Sequence, residues 1–554
     1  MTRADSAKDQ TSNSPLTNVD VVVVGAGFAG LYLLHRLRQM GLTTRVFETA
    51  SDVGGTWYWN RYPGARCDVE SMQYSYSFSE DLQQEWQWSE RFSAQPEILQ
   101  YAQHVADRFD LRSGIDFNTS VTAMHFDEQG QRWQVETDQG ERVSARFCVM
   151  ATGCLSSASV PDFKGLDRYQ GATYHTGEWP HEGVDFSGQR VGIIGTGSSA
   201  IQAIPVIAEQ AKHATVFQRT PNYSIPSRNG PMTDDYEHSW KDDYAGLRAN
   251  ARRTRNGILN NLNTISAMDV SEQTRKQVYE ARWATGGTTF MAAFNDLATN
   301  QQSNDTAARF VRDRIRATVD DAGDAELLAA KDYPIGTKRI CVDTNYFETF
   351  NRDNVTLVDV RDKPIEEITE TGLTTDGQAF DFDSIVFATG FDAMTGTLLK
   401  IDIQGKAGAT LGEKWRAGPR TYLGLMTAGF PNMFMITGPG SPSVLSNMMV
   451  SIEQHVDWVI DSLAHLRSAG LDMIEPTAAA EDDWVDHVNV VAHQTLYPKA
   501  NSWYMGVNIP GKPRLFLPYI GGVGLYREKC DAVAANGYEG FELSGSGQHT
   551  VAAE

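Results

Sequence analysis

The chain is short of positive charge. Its 48 Lys and Arg residues stand against 70 Asp and Glu, a formal net charge of −22, and nothing supplies the basic stripe that a nucleic-acid backbone demands. Cysteine is scarce as well: Cys67, Cys148, Cys154, Cys341 and Cys530 are odd in number and widely spaced, with no Cys-x-x-Cys pair and no Cys/His cluster at zinc spacing. That pattern excludes a disulfide framework and a redox-active cysteine pair, and predicts free thiols in a reducing compartment and no metal centre. No run of about 18 apolar residues occurs, so no membrane span is expected. The opening stretch MTRADSAKDQTSNSPLTN lacks the apolar core of a signal peptide; residues 1–18 are expected to be a disordered tail on a cytoplasmic protein.

What is present is an ordinary globular composition, 41% apolar and 10% aromatic over 554 residues, enough for roughly three or four folding units. The segment VDVVVVGAGFAGLYLLHRLRQMG opens with a β-branched run, the pattern of a buried parallel strand. Gly25-x-Gly27-x-x-Gly30 then starts a helical pattern with Leu33, Leu34 and Leu37 on one face. Such glycines permit a tight turn, close approach of a pyrophosphate to backbone N–H groups and tight helix-on-strand packing. The next strand, TTRVFE, ends on Glu48, placed to accept from ribose hydroxyls.

A second unit repeats this order in QRVGIIGTGSSAIQ, with Gly195-x-Gly197-x-x-Ala200, but its next strand ends on Arg219-Thr220. A carboxylate suits a free 2′-hydroxyl, whereas guanidinium and hydroxyl donors suit a 2′-phosphate, so the first site is expected to hold FAD or NAD and the second NADP. Two apolar strands, CVMATGC and IVFATGFD, end in Ala-Thr-Gly and are expected to return each sheet to a glycine turn near its cofactor. Between the fingerprints, Arg66 and Asp68 lie in an aromatic, glycine-punctuated stretch and read as a charged pair presented at a cofactor. From about residue 227 to 332 strand patterns give way to helical spacing. The fold class is therefore α/β, two Rossmann-like dinucleotide-binding domains with a mostly helical insertion in the second.

The linker between the fingerprints carries Tyr169-x-Gly171-x-x-x-His175-x-x-x-Trp179-Pro180. This motif resembles that of the type I Baeyer–Villiger monooxygenases, flavoproteins that insert oxygen beside a ketone carbonyl, and most of all the phenylacetone and steroid monooxygenase group. The resemblance covers nearly the whole chain, including GGTWYWNRYPGARCDVES, GTKR, ATGFDAMTG, AGPRTYLGL, GPGSPSVLSNM and NSWY. Two departures stand out: Tyr169 where the family usually has Phe, and Cys154 directly after Ala-Thr-Gly, where a polar amide is expected.

The resemblance implies an FAD-binding domain in two parts, 19–153 and 390–554, and an NADP-binding domain in two parts, 154–226 and 333–389, around the 227–332 insertion. It implies that Arg339 is the fixed cation that stabilises a flavin peroxide and the adduct it forms with a ketone, with Asp68 adjusting its position. It assigns Gly25, Gly27, Phe28, Gly30, Glu48, Gly55, Thr56, Trp57, Asp68, Tyr74 and Met448 to FAD. It assigns Arg66, Cys67, Thr196, Gly197, Ser198, Ser199, Ala200, Gln202, Arg219, Thr220, Lys338 and Trp503 to NADP, Trp503 from a mobile loop. His175 and Trp179 are expected to couple the domains, and Cys154, Ser443, Val444 and Leu445 to line a pocket for aromatic or bulky alicyclic ketones, with sulfoxidation as a side activity.

The expected reactants are a small-molecule ketone and O2, with no nucleic acid, membrane or protein partner required and a monomer or weak oligomer. Two alternatives stay open: a flavin monooxygenase acting on amine nitrogen or sulfide sulfur, and a flavin-binding redox sensor without turnover. Replacing His175 with Ala is expected to slow turnover or uncouple NADPH use from product formation while flavin stays bound; an apoprotein, seen in the visible spectrum, would assign His175 to folding instead.

Overall fold

The computed structural model describes residues 16–545. Strands β1 (Thr17–Val24), β2 (Thr44–Phe47), β3 (Ile115–Asp116), β4 (Val121–Asp127), β5 (Arg132–Thr137) and β6 (Arg142–Met150) come first. Next come β7 (Ala172–His175), β8 (Arg190–Ile194), β9 (His213–Gln218) and β10 (Ser224–Pro226), followed by β11 (Cys341–Asp343), β12 (Val355–Asp359), the meander β13 (Ile365–Ile368), β14 (Gly372–Thr375) and β15 (Gln378–Asp381), and β16 (Ser384–Phe387). Then β17 (Asp402–Gln404) and β18 (Met433–Met435) return to the sheet built by the first six. The tail expected to reach residue 18 needs correcting at its end: Thr17 and Asn18 belong to β1, paired with Val143 and Ser144. Residues 1–15 lie outside the described residues.

Two sheets organise the chain, the first mixed, with β5 antiparallel to β4 and β6, and the second parallel. The first has the order β17-β4-β5-β6-β1-β2-β3, with β18 also on β6. The second is all parallel, in the order β12-β9-β8-β16-β7. In each, the central strand (β1 or β8) crosses through a helix, Phe28–Gln39 or Ser198–Gln210, to the neighbouring parallel strand, the connection that right-handed chain twist favours. Val21, Val22 and Val23 of β1 and Val191 and Ile193 of β8 are fully buried, as strands covered on both faces must be. Residues 227–332 are helical, with no strand among them, and β11 pairs with β10 in a separate two-stranded ribbon. No helix among the described residues is long and apolar enough to cross a membrane.

The Ala-Thr-Gly segments sit at corresponding places in the two units. Gly25 N–H donates to Phe47 O and Gly195 N–H to Phe217 O (2.8 and 3.1 Å), while Ala151 N–H donates to Val24 O and Ala388 N–H to Ile194 O (both 2.9 Å). Both turn glycines have positive φ, +104° and +114°, and a Cβ on either would lie 2.6 Å from Ala151 O or 2.4 Å from Ala388 O, so only glycine fits.

The third fingerprint position differs. A Cβ on Gly30 would fall 1.9 Å from Gly25 O, whereas Ala200 is accommodated, fully buried, in the second unit. Gly30→Ala is therefore expected to destabilise the fold by roughly 1–3 kcal/mol through overpacking and to lower the melting temperature by several degrees. Ala200→Gly, by contrast, changes it by no more than about 1 kcal/mol of helix propensity.

Candidate active site

Both fingerprint helices begin without a side-chain cap, at Gly27 and Gly197, which leaves first-turn N–H groups free to receive an anion. A Cβ on Gly197 would meet nothing within 4 Å, and one on Gly27 would meet only Gly55, at 3.3 Å from its Cα. The turns are thus open cradles bounded by backbone, the shape a pyrophosphate requires.

Each cradle is flanked by a group of opposite charge type. Glu48 is buried, and its carboxylate accepts from the N–H groups of Ala26 (2.6 Å) and Ala50 (2.8 Å); burial pushes its carboxyl up against those bonds. Each oxygen keeps a lone pair for a further donor. In the second unit Arg219 is exposed at the end of β9 and Thr220 O accepts from Thr196 Oγ1 (2.9 Å). Lys338 comes to the same place from 119 residues away: desolvation, with Arg219 second, draws its amine down to about 8. Its Nζ lies 4.8 Å over the Tyr333 ring. Among the described residues no carboxylate comes within ion-pair distance of Lys338 or Arg219. Two neighbouring cations, one of them half-buried and neither in an ion pair among the described residues, are chemically suited to a dianion.

Between the cradles lies the Arg339–Asp68 pair. Arg339 Nε donates to Asp68 Oδ2 (2.9 Å) and Nη2 to Oδ1 (2.7 Å) in a two-pronged contact, and Nη1 donates to Val444 O (2.9 Å). The Asp68 charge pushes the guanidinium further up, above desolvation pulling it down, so the cation cannot be titrated away at any pH the fold survives. The Arg339 side chain is still 32% accessible: it is held from behind and presented in front. The turn it grips, Ser443–Leu445, borders an apolar cluster that contains Cys154, Met394, Val444, Tyr504, Met505 and Phe516, with Leu445, Met448 and Trp503 packed against it. Within it Ser443 Oγ–H points at Cys154 Sγ (3.4 Å), and burial pushes that thiol up, so it stays protonated.

On the other side of this pair, Trp57 Nε1 donates to Tyr74 OH (3.1 Å), and Phe28 packs edge-on to Tyr74. Thr56 opens the short helix that carries Trp57, directly after Gly55. Cys67 is buried beside Asp68. Ser198 Oγ lies 3.3 Å from Cys341 Sγ.

One expectation needs correction. Arg66 does not form a charged pair with Asp68 at a cofactor: its Nη1 donates to Glu90 Oε2 (2.5 Å) and Phe92 O (2.6 Å), because the strand-like stretch around residue 94 runs alongside it. Gln202, on the second fingerprint helix, has its amide hydrogen-bonded to the 62–66 segment. Its Oε1 accepts from Tyr62 OH (2.8 Å) and Arg66 N–H (3.4 Å), and its Nε2 donates to Arg66 O (3.1 Å). Gln202 thereby fastens the 62–66 segment, which leads into Asp68, to the second fingerprint helix.

The linker motif gains a geometric reading. A Cβ on Gly171 would meet Tyr169 OH at 2.3 Å, and one on Gly177 would meet the Phe391 ring at 2.6 Å. The Tyr169 hydroxyl donates to Phe382 O (3.0 Å). His175 is buried at the end of β7; its Nδ1 accepts from Gly177 N–H (3.0 Å), and its Nε2 lies 3.3 Å from Thr389 Oγ1. Desolvation pushes the imidazole down, which, with Nδ1 accepting, makes it the neutral Nε2–H tautomer. Trp179 is buried against Tyr174 and Phe186.

Tyr504 is the residue that sequence reasoning missed. It is buried, and burial pushes its hydroxyl up while the Arg339 charge pulls it down; the motif NSWY drew attention to Trp503 instead, and only its adjacency could have signalled Tyr504.

Residues 22–232 match a family model described as pyridine nucleotide-disulphide oxidoreductase. Over 535 residues, 96% of this chain and 97% of the relative, the sequence is 43% identical to a Baeyer-Villiger monooxygenase of Pseudooceanicola batsensis. Among solved structures, an oxidized steroid monooxygenase bound to NADP is 56% identical with a TM-score of 0.92, covering 96% of this chain and 100% of that one. A complex of OTEMO with FAD and NADP is 42% identical with the same TM-score, covering 95% and 99%.

The electrostatics of Lys338 can be measured without any cofactor. Acylation of lysines over a pH series, read peptide by peptide in a mass spectrometer, is expected to titrate Lys338 with a midpoint near 8, against about 10.4 for an exposed lysine. A midpoint in the ordinary range would remove the unpaired, desolvated cation from the site.

Proposed function

Because this chain belongs to the FAD-containing, NADPH-dependent Baeyer–Villiger monooxygenases, we propose that it converts aromatic or bulky alicyclic ketones to esters or lactones, with sulfoxidation as a side activity. The observation that carries this reading is the fixed cation Arg339, locked to Asp68 and held through Val444 O at the border of an apolar cluster. Bound FAD, reduced by NADPH, supplies the activation of O2.

The residues present fit both cofactors. Gly25, Gly27 and Gly30 and the uncapped helix behind them would hold the FAD pyrophosphate, Glu48 its ribose, and Thr56, Trp57, Tyr74 and Met448 its ring end. Thr196, Gly197, Ser198 and Ser199 would hold the NADP pyrophosphate, and Arg219, Thr220 and Lys338 its 2′-phosphate, whose dianion answers the unpaired charge of Lys338. The ketone carbonyl oxygen gains negative charge as oxygen is inserted, and a guanidinium that cannot lose its proton stabilises it where the surroundings are dry. Asp68 orients that guanidinium, the Val444 carbonyl fixes its third edge, and Trp503, Tyr504 and Phe516 exclude water. The substrate class is supported by the apolar cluster beside Arg339, in which Cys154, Met394, Val444 and Leu445 offer dispersion contacts and no charge, and by the 56% identical relative, a steroid monooxygenase. Ser443, its hydroxyl turned to sulfur, adds no strong donor to that wall.

The test is to incubate the holoenzyme with NADPH, O2 and phenylacetone, cyclohexanone, a steroid ketone and a thioether, with products identified by mass. Ester or lactone is expected from the bulkier ketones, and Arg339→Ala is expected to lose product by about 10²-fold or more. Sulfoxide alone would overturn the reading in favour of heteroatom oxygenation, and no oxygenated product from any substrate would favour the sensor. Replacing Lys338 with Met is expected to weaken NADPH far more than NADH. Only the protonated amine attracts the phosphate, so wild-type affinity for NADPH should decline as pH rises through about 8, and the variant should lose that slope.

A further inference from the structure

The chain passes between the two sheets twice near the site, once after β6 (residues 151–171) and once after β16 (residues 388–401). The two passages are zipped together. Ser159 N–H donates to Gly390 O (3.0 Å), Asp392 N–H to Ser157 O (2.9 Å) and Met394 N–H to Cys154 O (2.8 Å), with an antiparallel bridge at Ala158 and Phe391. His175 abuts one face of this ribbon: Thr389 Oγ1 faces its Nε2 and donates to Ser159 O (2.5 Å), and the Phe391 ring stands edge-on to the imidazole at 6.2 Å.

The loop 503–517 grips the other end. Asn508 Nδ2 donates to Phe391 O (2.8 Å); Lys512 Nζ donates to Asp392 Oδ1 (2.7 Å) and to Ala393 O (2.9 Å). The loop is stiff enough to transmit this hold, because Leu517 N–H donates to Tyr504 O (2.8 Å) and Leu515 N–H to Met505 O (3.2 Å), and Gly506 turns with φ +70° against the Lys512 stem. Tyr504, on that loop, shares an apolar cluster with Val444, whose carbonyl accepts from Arg339, and feels the Arg339 charge.

We infer that Lys512 is a positioning residue: its contacts with Asp392 and Ala393 lock the loop bearing Trp503 and Tyr504 to the paired linkers, and so set where Tyr504 meets Arg339. An exposed ion pair would contribute almost nothing. The Lys512 side chain, however, is only 11% accessible, and removing one partner leaves a half-buried charge and an unmet carbonyl. Through the ribbon, the lock also joins His175 to the Arg339 side chain with no direct contact between them. The inference rests on the functional reading above for its catalytic consequence, while the lock itself is a property of the protein alone.

The experiment uses the FAD-loaded full-length enzyme and two readouts. Hydrogen exchange is compared in peptides spanning 500–517 and 388–395 for wild type, Lys512→Met, Asp392→Asn and the double variant. Exchange in both peptides is expected to rise about tenfold in each single variant, as for a local opening made easier, and the double variant should exchange no faster than either single one. In turnover with a ketone, less of the NADPH oxidised by Lys512→Met should yield ester, the remainder going with O2 and a proton to NADP+ and hydrogen peroxide, and Lys512→Arg should recover most of the yield. Wild-type exchange in Lys512→Met, or additive effects in the double variant, would overturn the inference. If Lys512→Met fails to fold, Asp392→Asn decides alone by the same exchange criterion. If the wild type oxidises no ketone, the functional reading fails while the exchange arm still decides the lock.

Discussion

Arg339 grips both oxygens of Asp68 across 271 positions of sequence, and most of the site depends on that grip. A carboxylate beside a guanidinium lowers the cost of keeping the charge in an apolar surround, yet leaves one edge of the guanidinium for Val444 O. Asp68 in turn depends on its own support: Gln202 fastens the preceding segment to the second fingerprint helix, and Arg66 is anchored to Glu90 and Phe92 O. The cation is therefore positioned by elements of both sheets at once, so any relative motion of the two units is felt at Arg339.

The same economy governs the cofactor cradles. Two units solve one problem, bringing a phosphate to the start of a helix, with the same hydrogen bonds around the turn glycine and different flanking charge. Glu48 accepts from the backbone N–H groups of Ala26 and Ala50, whereas Lys338 feels the Arg219 charge and neither cation has an ion-pair partner among the described residues. The first arrangement is electrostatically complete apart from the lone pairs it can still offer. The second carries repulsion between Lys338 and Arg219, a difference in charge of the kind that separates a site for a free 2′-hydroxyl from one for a 2′-phosphate.

His175 shows how a residue typical of catalysis can serve geometry instead. Its Nδ1 is occupied by the backbone, its Nε2 by Thr389, and burial keeps it neutral. It has no free nitrogen with which to take a proton from substrate. What it does hold is one face of the ribbon formed by the two passages, whose other end is held by Asn508 and Lys512.

Much of this was legible in the residues alone, where the determining contacts are local. Glycine turns, the helices that follow them and the acid or cation that ends the next strand all lie within about 30 residues, and backbone sterics there leave one solution. The Arg339–Asp68 pairing was legible only through resemblance. The partner of Arg66, the commitment of Gln202, the place of Tyr504 and the zipped linkers were decided by the tertiary structure. Each joins side chains or backbone brought together by the packing of two sheets and a helical insertion, and no periodicity along the chain records which distant donor will reach which acceptor once water is excluded.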